Sequence, residues 1–162
     1  MLYSSPQLAV NTEAEAHEAR AEVRSVQIAV DNAADGHHDN KDHFIIEDGL
    51  CFAGRHLILD LYEAEGLDDI SRIERAMRKA VDVSGATLLH IHLHHFSPNG
   101  GVSGVAVLAE SHISIHTWPE RDYAALDIFM CGDAKPHRAV PVFRDAFKAG
   151  RHALSEHKRG SL

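Results

Sequence analysis

One short stretch of this 162-residue chain combines several side chains that can do chemistry. Within residues 109–120 it contains a carboxylate at Glu110, a hydroxyl at Ser111 and two imidazoles, His112 and His116. Strand-like apolar residues lie on both sides. Because polar groups in such a run are costly to bury unless they are satisfied or used, we interpret this stretch as the candidate site, and its chemistry as self-processing.

The Glu110–Ser111 bond has the residues that such a reaction needs. Attack of the Ser111 hydroxyl on the carbonyl of Glu110 would convert the amide to an ester. β-Elimination would then cut the chain and leave a dehydroalanine. Tautomerisation to the imine, followed by hydrolysis with loss of ammonia, would leave an N-terminal pyruvoyl group. The route requires a base, an oxyanion donor and a constrained backbone. His116 or His112 could be the base and Ser103 the donor; the plain alternative is an exposed serine at a strand end.

Cys131 is a second candidate, since it ends an apolar strand just before Gly132. A cysteine in that setting is most often buried and inert. The alternative is a proton donor, because an unperturbed thiol, with a pKa of about 8.5, is a competent acid near neutrality.

Two further patterns suggest other chemistry, and we favour neither. Alternate histidines His90, His92 and His94 share one strand face and could converge on a metal. No acidic residue or cysteine interleaves with them, so a solvated or interface-facing strand face is the better interpretation, and we predict no metal site. The segment 101–105 resembles a nucleophile elbow, but Val105 stands where that motif needs glycine, which disfavours a hydrolase.

Composition narrows the class of protein further. The formal net charge is −8, and no Lys/Arg stripe is present, which argues against nucleic acid or an anionic membrane as partner. No apolar run approaches about 20 residues, and the N-terminus lacks a signal-peptide pattern. The two cysteines, Cys51 and Cys131, suggest no disulfide framework. We therefore expect a cytoplasmic protein with reduced thiols.

Hydrophobic periodicity predicts the elements that position these residues. Residues 1–46 are rich in Ala, Glu and turn formers and are expected to be a mobile extension; residues 47–162 form the domain. The order β-α-β-β-β-β-α-β indicates an α+β two-layer sandwich, mainly antiparallel, with two helices on one sheet face. Ser71 and Glu74 fit a capping box for the first helix, and Gly85 fits its end.

One feature of the candidate strand is at odds with regular alternation. Strict alternation puts Ser111 and His116 on opposite faces of one strand. We therefore predict a bulge or a turn near residues 109–112.

These residues resemble the short bacterial and archaeal type of S-adenosylmethionine decarboxylase, a pyruvoyl-dependent family. The resemblance runs roughly from residue 47 to the C-terminus, and the loop around Gly100 looks one residue longer than is common in the family. The matching segments are Phe96-Ser97-Pro98, residues 101–105, residues 109–120, Tyr123-Ala124-Ala125 and Cys131-Gly132.

The resemblance implies cleavage between Glu110 and Ser111, giving a β chain of residues 1–110 and an α chain of residues 111–162 that starts with pyruvoyl. The family acts as a dimer of αβ protomers with sites near the interface. The resemblance implies that His116 promotes the elimination and that Ser103 assists in processing. It implies that Cys131 protonates the substrate α-carbon after decarboxylation. In substrate binding, Phe96 would stack on the adenine and Glu120 would bind the ribose hydroxyls.

The implied activity is decarboxylation of S-adenosylmethionine, which makes the aminopropyl donor for spermidine synthesis. Removing carbon dioxide from an amino acid leaves a carbanion that needs an electron sink. A pyruvoyl carbonyl joined to the substrate amine as a Schiff base supplies one, as pyridoxal phosphate does. Pyridoxal phosphate would need a lysine, and no lysine falls in a central strand. The alternatives are arginine or ornithine as substrate, or a non-catalytic subunit.

Overall fold

The computed structural model describes residues 43–109 and 111–162, all within one compact unit. The predicted extension therefore lies, up to residue 42, outside the described residues, and so does Glu110. The elements are β1 (Ile45–Glu47), β2 (Leu50–Phe52), β3 (Gly54–Tyr62), α1 (Ile70–Ser84), β4 (Leu88–His95), β5 (Val102–Leu108), β6 (His112–Trp118), β7 (Tyr123–Met130), α2 (Ala139–Ala146) and β8 (Arg151–Arg159), with 3-10 turns at Pro119–Arg121 and Pro136–Arg138.

The main sheet has six strands in the order β4-β5-β6-β7-β3-β8, and every neighbouring pair is antiparallel. Both helices contribute buried side chains to a core on one face of this sheet. The predicted α+β two-layer sandwich is therefore confirmed. The small β1–β2 hairpin was not predicted, because three-residue strands carry too little periodicity to detect.

The core forms where alternate strand residues meet the apolar side of α1. Leu57, Leu59 and Leu61 of β3 are fully buried, and so are Ile73 and Met77 of α1. Each such side chain contributes about 1.5–3 kcal/mol by leaving water. This packing holds the strands that carry the polar residues of the opposite face.

The start of α1 differs from the prediction. The N-cap is Asp69, whose side chain accepts a hydrogen bond from the backbone N–H of Arg72 at 2.9 Å. The capping box assigned to Ser71 and Glu74 is wrong, because the helix already begins at Ile70 and an aspartate is an equally good cap. The predicted end at Gly85 is confirmed, since this residue has the left-handed conformation that favours glycine.

The predicted irregularity near Ser111 is a hairpin turn. β5 ends at Leu108 and β6 begins at His112. The N–H of Leu108 donates to the carbonyl oxygen of Ser111 at 2.9 Å, which closes the turn. Ser111 therefore lies in a connection and not within a strand, so its orientation is free of the alternation that governs His116.

The sheet face away from the helices, here called the open face, carries the other alternate residues. In β6 these are His112, Ser114, His116 and Trp118, whereas the buried residues alternate with them. In register across the sheet, His112 lies beside Phe129 of β7. Among the described residues, no helix has the length and apolar character needed to cross a bilayer.

Candidate active site

Strands β5 and β6 bring together the first group of candidate residues. Ser103 pairs with His116 in the ladder, and Ser103 Oγ lies 2.8 Å from His116 Nδ1. These side chains open onto a cleft of about 210 Å³, here called the loop cleft. Its lining residues are Phe96, Asn99, Gly101, Ser103, His116, Thr117, Trp118 and Glu120.

A buried threonine holds the loop cleft in shape. The Thr117 hydroxyl donates to the carbonyl of Leu67 at 2.7 Å and accepts from the N–H of Val102 at 2.8 Å. At Gly101 a Cβ would come within 2.8 Å of the Thr117 carbonyl oxygen, so only glycine permits this approach of the loop to β6. The loop of residues 96–101 is thereby fixed against the strand that carries His116.

Aromatic rings stand on two sides of the loop cleft. Phe96 is 48% exposed and packs edge-on against His94, with 4.5 Å between ring centroids. Trp118 is 40% exposed and lies 5.3 Å from Tyr123. Phe96 was predicted to contact substrate, whereas Trp118 was missed, although it belongs to the segment that carries the resemblance. Glu120 lies exposed in the 3-10 turn that follows.

Tyr123 has an unusual environment beside this cleft. Its hydroxyl donates to Asp60 Oδ1 at 2.5 Å. This hydrogen bond, together with partial burial, raises the pKa of Tyr123 to about 12. The phenol therefore stays protonated throughout the physiological range and holds β7 to β3.

Ser111 and Cys131 form a second group at the opposite end of β6. The backbone N–H of Cys131 donates to Ser111 Oγ at 3.3 Å, and both residues are partly exposed. They line a cavity of about 180 Å³, here called the turn pocket. Its other lining residues are His43, Gly85, Ala86, Thr87, Gly132, Asp133 and Ala134.

His43 was missed by the sequence analysis, which assigned it to the extension. Its carbonyl oxygen accepts a hydrogen bond from the N–H of Gly132 at 2.9 Å, and its side chain faces the turn pocket. No short motif marks this residue, because the contact depends on how the N-terminal segment crosses the end of the sheet.

His112, the other candidate base, lies next to Ser111 on the open face. Its ring is 5.7 Å from Phe129 and 6.4 Å from His56, between centroids. Burial, and to a smaller extent the His56 imidazole, lowers the pKa of His112. His56 Nε2 in turn lies 3.1 Å from Asp127 Oδ1. His112 is therefore a neutral imidazole near neutral pH.

The structure keeps the two groups apart within one chain. Ser111 precedes β6 and His116 lies near its far end, which places them about 16 Å apart along an extended strand. The Ser103–His116 pair therefore cannot act on Ser111 of the same chain in this conformation. Cys131, by contrast, is already beside Ser111.

The remaining candidates do not form a site of their own. His90, His92 and His94 are exposed on the edge strand β4. Among the described residues, no three potential ligands are arranged to hold a metal ion. Cys51 and Cys131 form no disulfide.

The fold and these two groups define an α+β sandwich in which a hairpin turn carries a serine beside a cysteine. The family model of S-adenosylmethionine decarboxylase matches residues 55–160, so the chain belongs to this family.

Similar proteins span nearly the same domain. The chain is 49% identical over 112 residues to the S-adenosylmethionine decarboxylase proenzyme of Methanococcus aeolicus, covering 67% of this chain and 95% of that protein. It is 43% identical over 110 residues to the proenzyme of the same name from Thermomicrobium roseum, with 67% and 95% covered. The crystal structure of adenosylmethionine decarboxylase from Aquifex aeolicus aligns with a TM-score of 0.62 and 34% identity, covering 68% of this chain and 93% of that one.

Proposed function

We propose that this protein decarboxylates S-adenosylmethionine with a pyruvoyl group that it generates from Ser111 by cleaving its own Glu110–Ser111 bond. The observation that carries the proposal is Ser111 in the β5–β6 turn, with its hydroxyl held by the N–H of Cys131. Family membership supports it, because the relatives quoted above are named as proenzymes of this activity.

The turn pocket fits a pyruvoyl group at residue 111. The N–H of Cys131 is a donor already directed at the Ser111 oxygen, and it would hydrogen-bond an oxygen that carries developing charge. Among the described residues that line the pocket, none is a lysine, which a pyridoxal phosphate site would need. When present, the pyruvoyl group supplies the electron sink for the bond that releases carbon dioxide.

Cys131 has the position for the proton transfer that completes the reaction. Cys131 adjoins Ser111 through its backbone N–H, lines the turn pocket and is partly exposed. Its Sγ would hold the proton that the substrate α-carbon receives after carbon dioxide leaves. Thiols are competent acids near neutral pH.

The loop cleft fits the adenosyl part of the substrate. Phe96 and Trp118 offer exposed aromatic faces on which adenine can stack. Glu120 offers a carboxylate that would accept hydrogen bonds from the two ribose hydroxyls. These groups account for a nucleoside better than for the side chains of arginine or ornithine.

The proposed function requires a second copy of the chain. The substrate must contact residue 111 and the loop cleft at once, yet the two lie at opposite ends of β6. A two-fold axis that lies between two open faces and across their strands reverses the strand direction. It would bring the turn pocket of one protomer to the loop cleft of its partner. We therefore propose a homodimer of αβ protomers with shared sites.

The same arrangement gives His116 and Ser103 a role in processing. Their hydrogen-bonded pair would reach residue 111 of the partner subunit's hairpin, where the imidazole could take up the proton lost in β-elimination. We further place the enzyme in the cytoplasm, where cysteines that form no disulfide stay reduced. Its product would be the aminopropyl donor for spermidine synthesis.

The test has two parts, made on the same purified protein. Mass spectrometry should find two fragments, residues 1–110 and 111–162, the second with a pyruvoyl N-terminus. Carbon dioxide release should then be measured from S-adenosylmethionine, arginine and ornithine, each labelled at the carboxylate. Release from S-adenosylmethionine alone supports the proposal. A full-length chain in active protein, or release only from arginine or ornithine, would contradict it.

A further inference from the structure

His43 lies outside the region that the family model matches, yet it lines the pocket that holds Ser111 and Cys131. The match begins at residue 55, twelve positions later. This imidazole therefore reaches the turn pocket from a segment that the family model does not match.

The segment is held at the pocket by several contacts. The carbonyl of His43 accepts the N–H of Gly132, the residue that follows Cys131. A Cβ at Gly132 would lie 3.6 Å from His43 Nδ1, so the ring packs on this backbone. Downstream, the β1–β2 hairpin inserts the fully buried Phe52, and the carbonyl of Cys51 accepts the N–H of Leu162 at 2.9 Å.

We propose that His43 is a proton relay that recharges Cys131 after each turnover. The inference rests on the proposed function, in which Cys131 gives its proton to the substrate α-carbon. That step breaks the S–H bond and leaves a thiolate. The His43 imidazolium then donates its ring proton to Cys131 Sγ, and the neutral imidazole takes a proton from water. Protons balance, and no redox step is involved.

The lining of the pocket favours His43 for this task. Among the described residues that line the turn pocket, the ionisable side chains are His43, Cys131 and Asp133. Imidazole suits a relay because its two ring nitrogens can both donate and accept a proton, which makes histidine the usual proton shuttle in proteins. His43 is also exposed, so its ring can exchange protons with solvent.

The first experiment measures turnover in two variants. His43→Asn removes the imidazole ring and keeps a residue that tolerates the positive φ of 49° seen here. His43→Gly leaves space for free imidazole. Since general acid–base groups contribute about 10²–10⁴-fold, we expect kcat to fall by at least about tenfold at pH 7.5 in both variants. We expect added imidazole to raise the kcat of His43→Gly towards the wild-type value. The control, His152→Gly, should have the kcat of wild type, and added imidazole should not change it.

The second experiment does not depend on activity. In a Cys51→Ser, Ser111→Ala chain, Cys131 is the remaining thiol, and its rate of alkylation by iodoacetamide reports the thiolate fraction. The relay places an imidazolium beside the Cys131 thiolate, and that positive charge stabilises the thiolate. Adding His43→Asn should therefore slow alkylation severalfold at pH 7 and shift the pH profile of the rate to higher pH.

The outcomes separate this inference from the proposed function. Wild-type protein that is cleaved but releases no carbon dioxide from S-adenosylmethionine contradicts the proposed function. Active wild type with His43 variants that keep full kcat and an unchanged alkylation profile overturns the relay alone. His43 variants that fail to self-cleave also overturn it, because the residue would then act in processing.

Discussion

The two ends of β6 carry different halves of the candidate site and are built differently. The turn pocket is formed by connections: the β5–β6 turn, the segments that follow α1 and β7, and the approach of the N-terminal segment. The loop cleft is formed largely by side chains of β5 and β6, with one loop fixed by Thr117. Connections can change conformation where a bond is to be cut, whereas strands hold side chains in place for binding.

The comparison shows that a single protomer keeps the proposed reacting residue, Ser111, apart from the residues proposed to bind substrate. The two halves lie at opposite ends of β6, so no small movement within the chain can unite them. A second copy of the chain, with its strands running in the opposite direction, could bring its loop cleft to the turn pocket of the first copy. The predictions below test this division, from the largest expected effect to the smallest.

Removing the Ser111 hydroxyl should disable the turn pocket completely. We expect Ser111→Ala to remain a single chain without decarboxylase activity, because no nucleophile is left to form the ester. Gel electrophoresis and mass spectrometry measure the cleavage. Ser155→Ala, on the exposed edge strand β8, is the control and should cleave normally. Cleavage of Ser111→Ala at residue 110 would show that another group starts the reaction.

Complementation tests whether sites are shared between subunits. Ser111→Ala and His116→Ala should each be inactive alone. In a mixed dimer, one site combines both defects and the other combines the intact Ser111 with the intact His116 of the partner subunit. Random co-expression should therefore restore about a quarter of wild-type activity. If each site were confined to one chain, the mixture would stay inactive.

The two cysteines should differ sharply in how much their replacement by alanine lowers kcat. Cys131→Ala removes the proposed proton donor, so we expect normal cleavage but a kcat lower by about 10²-fold or more. Cys51 lies in the β1–β2 hairpin, away from both cavities, and Cys51→Ala should keep wild-type kcat. The measurement is carbon dioxide release after cleavage has been verified. Equal kcat in the two variants would exclude Cys131 as the donor.

A change in the loop cleft should weaken binding and leave processing intact. Glu120→Gln loses the charge that strengthens hydrogen bonds to ribose, which are worth about 1.5–3 kcal/mol with charged groups. We expect KM to rise about tenfold or more with little change in kcat. Glu74→Gln, on α1, is the matched control. A loss of kcat at unchanged KM would place Glu120 in the chemistry instead.

The smallest expected effect is a change in the pKa of Tyr123, which lies beside the loop cleft. Because Asp60 accepts a hydrogen bond from Tyr123, the pKa of the phenol is raised to about 12. The same hydrogen bond contributes to the free energy of unfolding. Because the pKa is raised in the folded state, this contribution is fully present below the unfolded pKa of about 10, and it is lost as pH rises from about 10 to about 12. We expect Asp60→Asn to lower the pKa of Tyr123, measured by absorbance at 295 nm. An unchanged titration would remove Asp60 as the cause.

Several residues of both halves were predicted from the sequence, but their grouping was not. Alternation located the strands, and the conflict between the positions of Ser111 and His116 predicted the turn that is observed. The roles of Ser103, His116, Cys131, Phe96 and Glu120 came from resemblance and stay predictions. Two residues that line the cavities were not predicted as site residues. Trp118 lies within the matching segment 109–120 but was given no role, and His43 was assigned to the extension.

The sequence by itself determined the sandwich and the chemical types available at the site. Periodicity does this, because burial of one face forces alternate residues outward. Only the tertiary structure decided that Ser111 lies with Cys131 and that His116 lies with Ser103. Strand pairing and the position of the segment that begins at His43 bring these residues together. Both depend on contacts between residues distant in sequence, which a local sequence pattern does not contain.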